Sequence, residues 1–219
     1  MSVVTIERKV LEKNDELAAA TRDALVRQGV FAINMVSSPG AGKTTLLERT
    51  LAALDGRVKV AVVEGDVQTD LDAQRVSRYG VPVVQIVTNG GCHLEARLVR
   101  DALTQLDLRD TDVLVIENVG NLVCPANFDL GEDLKVVVLS VTEGDDKPLK
   151  YPAMFQRSAV LIINKIDLVP YVDADVSAIR RHARLANPDL QIFETSCRTG
   201  EGIAEWADWL AVQAERRRA

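Results

Sequence analysis

Short apolar runs alternate with amphipathic stretches along most of the chain. The runs fall at 30–36, 58–63, 83–87, 112–117, 134–141, 159–163 and 191–195. Their length and continuity suit strands buried on both faces. Between them, stretches near 43–54, 70–79, 93–106, 148–156, 173–186 and 201–215 carry helical patterns. Strand and helix in alternation predict βαβ units, hence an α/β fold with a mostly parallel sheet flanked by helices on both faces. The start differs. Residues 7–28 form a polar amphipathic helix with Leu17, Ala20, Thr21, Ala24 and Leu25 at helical spacing, stopped by Gly29. The expectation is a single domain over 1–219 with a short helical extension at about 1–29. Trp206 and Trp209, in the last helix, read as packing residues.

The first apolar run, Phe31 to Val36, leads into SSPGAGKT, Ser37 to Thr44. This is the phosphate-loop pattern with Ser37 in place of its first glycine. Gly40 and Gly42 let the backbone of Pro39, Gly40, Ala41 and Gly42 curl around phosphate oxygens. Lys43 would reach the β- and γ-phosphates, Thr44 would ligate Mg²⁺, and Thr45 lies in the first turn of a helix whose N-terminus faces the anion. The fold class is therefore a P-loop NTPase.

The base is read further along. Ala159 to Ile163 delivers Asn164-Lys165-Ile166-Asp167 to the C-terminal end of a strand, where open α/β sheets bind ligands. The Asp167 carboxylate can accept two hydrogen bonds from guanine, a donor pair adenine lacks. Ser196, Cys197 and Arg198, after Gln191 to Thr195, can close over the base with backbone N–H groups, the Cys197 side chain being a small packing residue. GTP and GDP are the nucleotides. Asp66, after the run at 58–63, and Glu117, ending Asp112 to Ile116, are further candidates for Mg²⁺. Asp70 and Asp72 read as ordinary helix capping.

Glu117 opens the most informative segment, ENVGNLVCP, Glu117 to Pro125. Gly120 can sense a γ-phosphate, and Cys124 follows in the same loop. Thr88-Asn89-Gly90-Gly91-Cys92-His93 is a second glycine-rich loop, offering a thiolate and an imidazole suited to Ni²⁺ or Zn²⁺. An adjacent Cys-His pair alone is weak evidence. Its loop lies at the sheet's ligand-binding edge, the chain has only 2 histidines, and Cys124 lies at the same edge. Cys92, His93 and Cys124 make an open site; two chains around a twofold axis can supply up to six ligands. His182, in a basic helix, reads as solvated.

Composition narrows the setting. The 219 residues are 47% apolar and 26% charged, without an apolar run near the ~18 residues of a membrane span. The start lacks a signal-peptide layout, so a cytoplasmic protein is expected. A net charge of −6 argues against nucleic acid as the main partner. Arg216, Arg217 and Arg218 read as a solvated cap on the last helix. Three cysteines suggest metal or redox chemistry, or burial, before a disulfide framework.

ENVGNLVCP, GGCHLEA (90–96), EGDVQTDLDA (64–73), SSPGAGKTT and NKIDL together resemble the HypB family, GTPases that assist nickel insertion during [NiFe]-hydrogenase maturation. The likeness runs from about Val10 to Leu210, and that family tolerates a serine at the Ser37 position. It implies metal binding by Cys92, His93 and Cys124, a homodimer promoted by GTP, the nickel-delivery partner HypA, and a hydrogenase large-subunit precursor as client. The related urease GTPase has Cys-Pro-His where this chain has Cys92-His93-Leu94, and lacks an NLVCP segment. Many members of the family begin with a cysteine motif or histidine-rich tract; MSVVTIERKV has neither, so only the site in the GTPase domain carries over. Finding no glutamine to orient water and no arginine finger, we expect slow intrinsic turnover, with GTP ordering the Gly120 loop and hydrolysis shifting Cys124. Two alternatives stay open: a nucleotide-binding metallochaperone scaffold with little hydrolysis, or a GTPase maturing another nickel enzyme such as urease.

Overall fold

A computed structural model describes residues 4–68 and 71–219. Seven strands form one sheet: β1 (Phe31–Ser37), β2 (Val60–Asp66), β3 (Val83–Val87), β4 (Val113–Glu117), β5 (Leu134–Ser140), β6 (Val160–Asn164) and β7 (Gln191–Thr195). Their order is β3-β2-β4-β1-β5-β6-β7 and every neighbouring pair is parallel. The expected sheet was mostly parallel; the described one is entirely so. β4 lies between β2 and β1, in register at Glu64↔Glu117 and Met35↔Glu117. The loops leaving these three strands therefore emerge side by side.

The helices are α1 (Val4–Arg27), α2 (Lys43–Leu54), α3 (Leu71–Ser77), α4 (Ala96–Leu103), α5 (Lys147–Lys150), α6 (Pro152–Gln156), α7 (Val176–Ala186) and α8 (Ile203–Arg218). Because side chains alternate along a strand, each strand feeds both layers. Ile33, Val62, Val115, Val138 and Ile162 pack beneath α2 and α8. Ala32, Ala61, Leu114 and Ile116 meet Leu25 of α1 and Val99 of α4. Val137, Leu139, Leu161 and Ile163 meet Met154 and Phe155 of α6 and Ile179 of α7. Trp206 is fully buried, donates from Nε1 to Thr50 Oγ1 at 3.0 Å and stacks on Trp209. Truncating such a side chain costs about 3–5 kcal/mol.

Several expectations need correcting. The helix expected at 148–156 is two short ones, broken at Tyr151 (φ −124°, ψ 50°), because a residue before proline is pushed out of helical backbone. α4 starts at Ala96 rather than 93, leaving Cys92 and His93 in the loop. Arg217 and Arg218 are ion-paired with Asp133 and Asp112, tying the last helix to the sheet's far edge instead of being a purely solvated cap. His182 is half-buried and its Nδ1 lies 2.9 Å from the Asp145 carbonyl oxygen. Among the described residues no helix is long and apolar enough to cross a membrane.

Candidate nucleotide and metal sites

β1 ends at Ser37, whose side chain is buried. Its Oγ accepts a hydrogen bond from Lys43 Nζ at 3.1 Å. The serine that departs from the motif thus holds the lysine at the mouth of the site. Gly40 and Gly42 adopt φ of 78° and 97°, so both need glycine. At Gly42 a Cβ would stand 2.7 Å from Asn164 Nδ2. Lys43 opens α2 with Thr44 and Thr45 behind it. A cavity of about 540 Å³ is lined by Pro39, Gly40, Gly42, Lys43, Thr44 and Thr45 on one side, and by Asp66, Asp72, Arg75, Glu117 and Gly120 on the other. That volume is ordinary for a small-molecule site.

Thr44 Oγ1 donates to Glu117 Oε1 at 2.8 Å, and Lys43 Nζ lies 3.9 Å from the same oxygen. Glu117 is buried. Burial pushes its carboxyl up, while Lys43 and Thr44 pull it down. Beside it, in register, stands Glu64, 1% exposed. Burial first, then the Glu117 charge, drive the Glu64 carboxyl up to about 10. Two carboxyls this close cannot both ionise in a dry site, so Glu64 keeps its proton. Hard oxygens from Thr44, Glu117 and Asp66 around one cavity fit a Mg²⁺ ion. Gly120 rests against the phosphate loop, where a Cβ would come within 3.2 Å of Pro39.

Strand β6 delivers the residues expected from sequence to read the base. Asn164 Nδ2 donates to the Ala41 carbonyl at 2.9 Å, and its Oδ1 accepts from Thr195 Oγ1 at 3.2 Å. Lys165, in left-handed backbone at φ 63°, donates from Nζ to the Gly40 carbonyl at 2.7 Å. Asn164 and Lys165 therefore brace the phosphate loop from the base side. Ser196 Oγ donates to Asp167 Oδ1 at 2.6 Å, fixing the carboxylate. A cavity of about 340 Å³ is lined by Asn164, Lys165, Asp167, Leu168, Cys197 and Arg198, with Gly42, Thr45 and Arg49 of the phosphate side. Cys197 is buried in the core beneath α8, its Sγ 3.4 Å from Asn164 Oδ1.

On the other flank of β4, the ligand atoms of Cys92, His93 and Cys124 lie within 4.8 Å of one another. His93 Nδ1 is 3.5 Å from Cys92 Sγ, and its ring stacks at 4.1 Å, tilted, on Phe128. Burial lowers the His93 pKa, keeping the imidazole neutral and able to ligate. A hydrogen bond with Cys124, then burial, raises the Cys92 thiol. Cys124 opens a 3₁₀ turn (Cys124–Asn127) whose entry is pinned by Asn121 Oδ1, which accepts from the Val123 and Cys124 amides. Two thiolates and an imidazole suit a borderline-soft divalent ion and leave at least one position open.

The phosphate, base and metal residues expected from sequence thus gather along one sheet edge. Asp70 lies outside the described residues. Asp72 stands in the first turn of α3, as expected of an acidic residue opening a helix, and pairs with Arg75 one turn on at 3.1 Å. Three residues of these sites escaped the sequence reading. Glu64 shares the strand face of Asp66 and Val62, so alternation along β2 could have pointed to it. Arg75 lines the phosphate cavity, held by Glu48 at 2.6 Å and Thr45 at 3.1 Å. Asn118 is buried between the phosphate and metal sites, a placement that only the fold reveals.

Comparison with known proteins gives the family and agrees with the fold. Residues 31–194 match the CobW/HypB/UreG nucleotide-binding domain. The chain is 52% identical over 215 residues to the hydrogenase maturation factor HypB of Azotobacter vinelandii, across 98% of this chain and 71% of that one. Among solved structures it resembles HypB from Archaeoglobus fulgidus (TM-score 0.87, 41% identity, 93% of this chain and 99% of that one). It also resembles HypB from Helicobacter pylori, solved in complex with nickel (TM-score 0.89, 40% identity, 94% and 97%).

Proposed function

The chain belongs to the CobW/HypB/UreG family, and within it to the HypB hydrogenase maturation factors; from that premise we propose that it is a metal-binding regulatory GTPase that assists nickel insertion into the [NiFe]-hydrogenase large subunit. One observation carries the reading. The β4 loop has Glu117 on Thr44 at one end and Cys124 in the three-ligand cluster at the other. A single short segment therefore belongs to both sites.

In this reading Asp167 takes the guanine N1–H and amine, held in place by Ser196, while Asn164 and Lys165 keep the base pocket rigid against the phosphate loop. The Gly40–Thr44 backbone and Lys43 hold the β- and γ-phosphates and offset charge that develops on them. Thr44, Asp66 and Glu117 would hold Mg²⁺, which would supply positive charge against the phosphates. Among the described residues no glutamine lines the phosphate cavity, and Arg75 there is engaged by Glu48 and Asp72. Positioning then does most of the work, and turnover is slow.

Nickel is the cargo, a reading supported by the likeness to the Helicobacter pylori relative solved in complex with nickel, and Zn²⁺ competes for the same donors. The open ligand set favours a homodimer formed with GTP, with HypA as nickel donor and a large-subunit precursor as client, in the cytoplasm. Residues 1–219 act as a single GTPase domain. Phosphate release from purified protein tests the enzymatic half: GTP should be hydrolysed in preference to ATP, and Lys43→Ala should abolish it. Equal release by parent and Lys43→Ala would leave only a binding scaffold.

A further inference from the structure

Asn118 stands between the two residues of its loop that the nucleotide reading uses, Glu117 and Gly120, and lines the phosphate cavity beside them without being assigned a ligand there. It is 1% exposed. Its Oδ1 accepts the Leu94 amide at 3.0 Å and the Val119 amide at 2.9 Å. Its Nδ2 donates to Asn34 Oδ1 at 3.2 Å, and its backbone N–H to the Met35 carbonyl at 2.9 Å. Leu94 directly follows His93. One amide oxygen is therefore shared between the metal loop and the nucleotide loop.

The contacts continue into a closed circuit. Asn34 Nδ2 donates to Glu132 Oε1 at 3.2 Å, and Glu132 pairs with Lys135 at 3.0 Å. Lys135 Nζ donates to the Phe128 carbonyl at 2.9 Å, and the Phe128 ring lies on His93. The path returns to the residue before Leu94. Asn34, Asn118, Glu132 and Lys135 are buried, and Phe128 and His93 are half-buried.

We infer that Asn118 is the positioning residue through which nucleotide state sets the place of the Cys92-His93 loop. The inference rests on the coupled GTPase reading above. Cys124 is joined to Gly120 by the chain itself, so a shift of the Gly120 loop reaches it directly. Cys92 and His93 sit on the loop after β3, and their link to the β4 loop runs through Leu94 N–H and Asn118. When Gly120 moves toward or away from the phosphate loop, Val119 moves with it. The Asn118 oxygen serves the Val119 and Leu94 amides together, and neither can be left without an acceptor cheaply in a dry site. Leu94 follows, carrying His93. Packed interiors switch between discrete arrangements rather than stretching, so all three ligands change place together.

Asn14 supplies the comparison. Its Oδ1 accepts from the Ala96 amide at 2.9 Å and its Nδ2 donates to the Asp129 carbonyl at 2.8 Å. It braces the same two walls of the metal site, but its bond on the β4 side falls at Asp129, beyond Cys124, and not on the Glu117–Gly120 segment beside the phosphates. A purely structural loss behind the site should act like Asn14→Ala.

The test is Ni²⁺ titration of the full chain with GDP and with a non-hydrolysable GTP analogue, reading the ratio of the two affinities. The parent should show a ratio of about five- to 150-fold. Asn118→Ala should cut that ratio severalfold, leaving only the part that reaches Cys124 through the chain itself, while both nucleotides still bind. Asn118→Ser, whose hydroxyl is too short to reach Leu94, should do the same and stands in if the alanine variant misfolds. Asn14→Ala should alter both affinities and keep the parental ratio. A parental ratio in the Asn118 variants, or its equal loss in Asn14→Ala, would overturn the inference. Identical titrations in the parent would instead remove the coupling itself, a failure visible before any variant is made.

Discussion

The phosphate and metal sites lie on two flanks of the same strand, yet they are built in opposite ways. On the phosphate side the working side chains are already held: Lys43 by Ser37, Thr44 by Glu117, Asn164 by Ala41, Lys165 by Gly40, Asp167 by Ser196. All of these but the Lys43–Ser37 bond cross between different segments of the chain, so the site is preorganised for its ligand. On the metal side Cys92 is exposed, and His93 Nε2 is buried without a hydrogen-bond partner. Its three donors leave a coordination position open. A rigid site can sense a ligand and a loose one can respond to it.

Substitutions should separate the two flanks. The largest effect belongs to the Cys92→Ala, Cys124→Ala double variant, which should lose stoichiometric Ni²⁺ and Zn²⁺ binding while binding GTP as the parent does. His93→Ala should weaken binding less, since thiolates dominate zinc affinity. One tightly bound metal per chain in the double variant, read by equilibrium dialysis, would move the site elsewhere. Next comes Lys43→Ala, for which removal of a preorganised cationic donor predicts a loss of hydrolysis on the order of 10²–10³-fold. Metal titrations in the GDP state should not change. Third, Asp167→Asn should weaken GTP by about ten- to hundredfold, the worth of a hydrogen-bonded charge, and should improve xanthosine triphosphate. Unchanged GTP affinity in a folded variant would take Asp167 out of the pocket. The smallest effect is Ser37→Gly, which removes one hydrogen bond to Lys43 and should cost about 0.5–1.5 kcal/mol in GTP binding. A loss as large as that of Lys43→Ala would mean that Ser37 does more than hold the lysine.

The two flanks were also unequally legible in the sequence. SSPGAGKT and NKID carry their expected chemistry in contiguous residues, so spacing alone makes them candidates for phosphate and base. The strands were found within three residues at every end, because buried parallel strands are continuous apolar runs. The order β3-β2-β4-β1-β5-β6-β7 was not legible, since no local pattern says which strand lies beside which. That order brings Cys92-His93 beside Cys124 and sets Glu64 against Glu117. Asn118 was invisible for the same reason: its partners Leu94 and Asn34 are 24 and 84 residues away. Arg217 and Arg218 read as helix-end charges by local rules, and tertiary ion pairs with Asp133 and Asp112 claimed them instead.

If nucleotide state and metal binding are coupled across β4, the coupling is reciprocal by thermodynamic necessity. Calorimetry can close the cycle: Ni²⁺ affinity in the presence of GDP and of a non-hydrolysable GTP analogue, and affinity for each nucleotide with and without Ni²⁺. We expect the two ratios to agree and to lie at about five- to 150-fold, and Cys124→Ala to abolish both while leaving nucleotide binding in place. Superimposable metal titrations in the two nucleotide states would contradict the coupling, leaving Cys124 merely a neighbour of the switch.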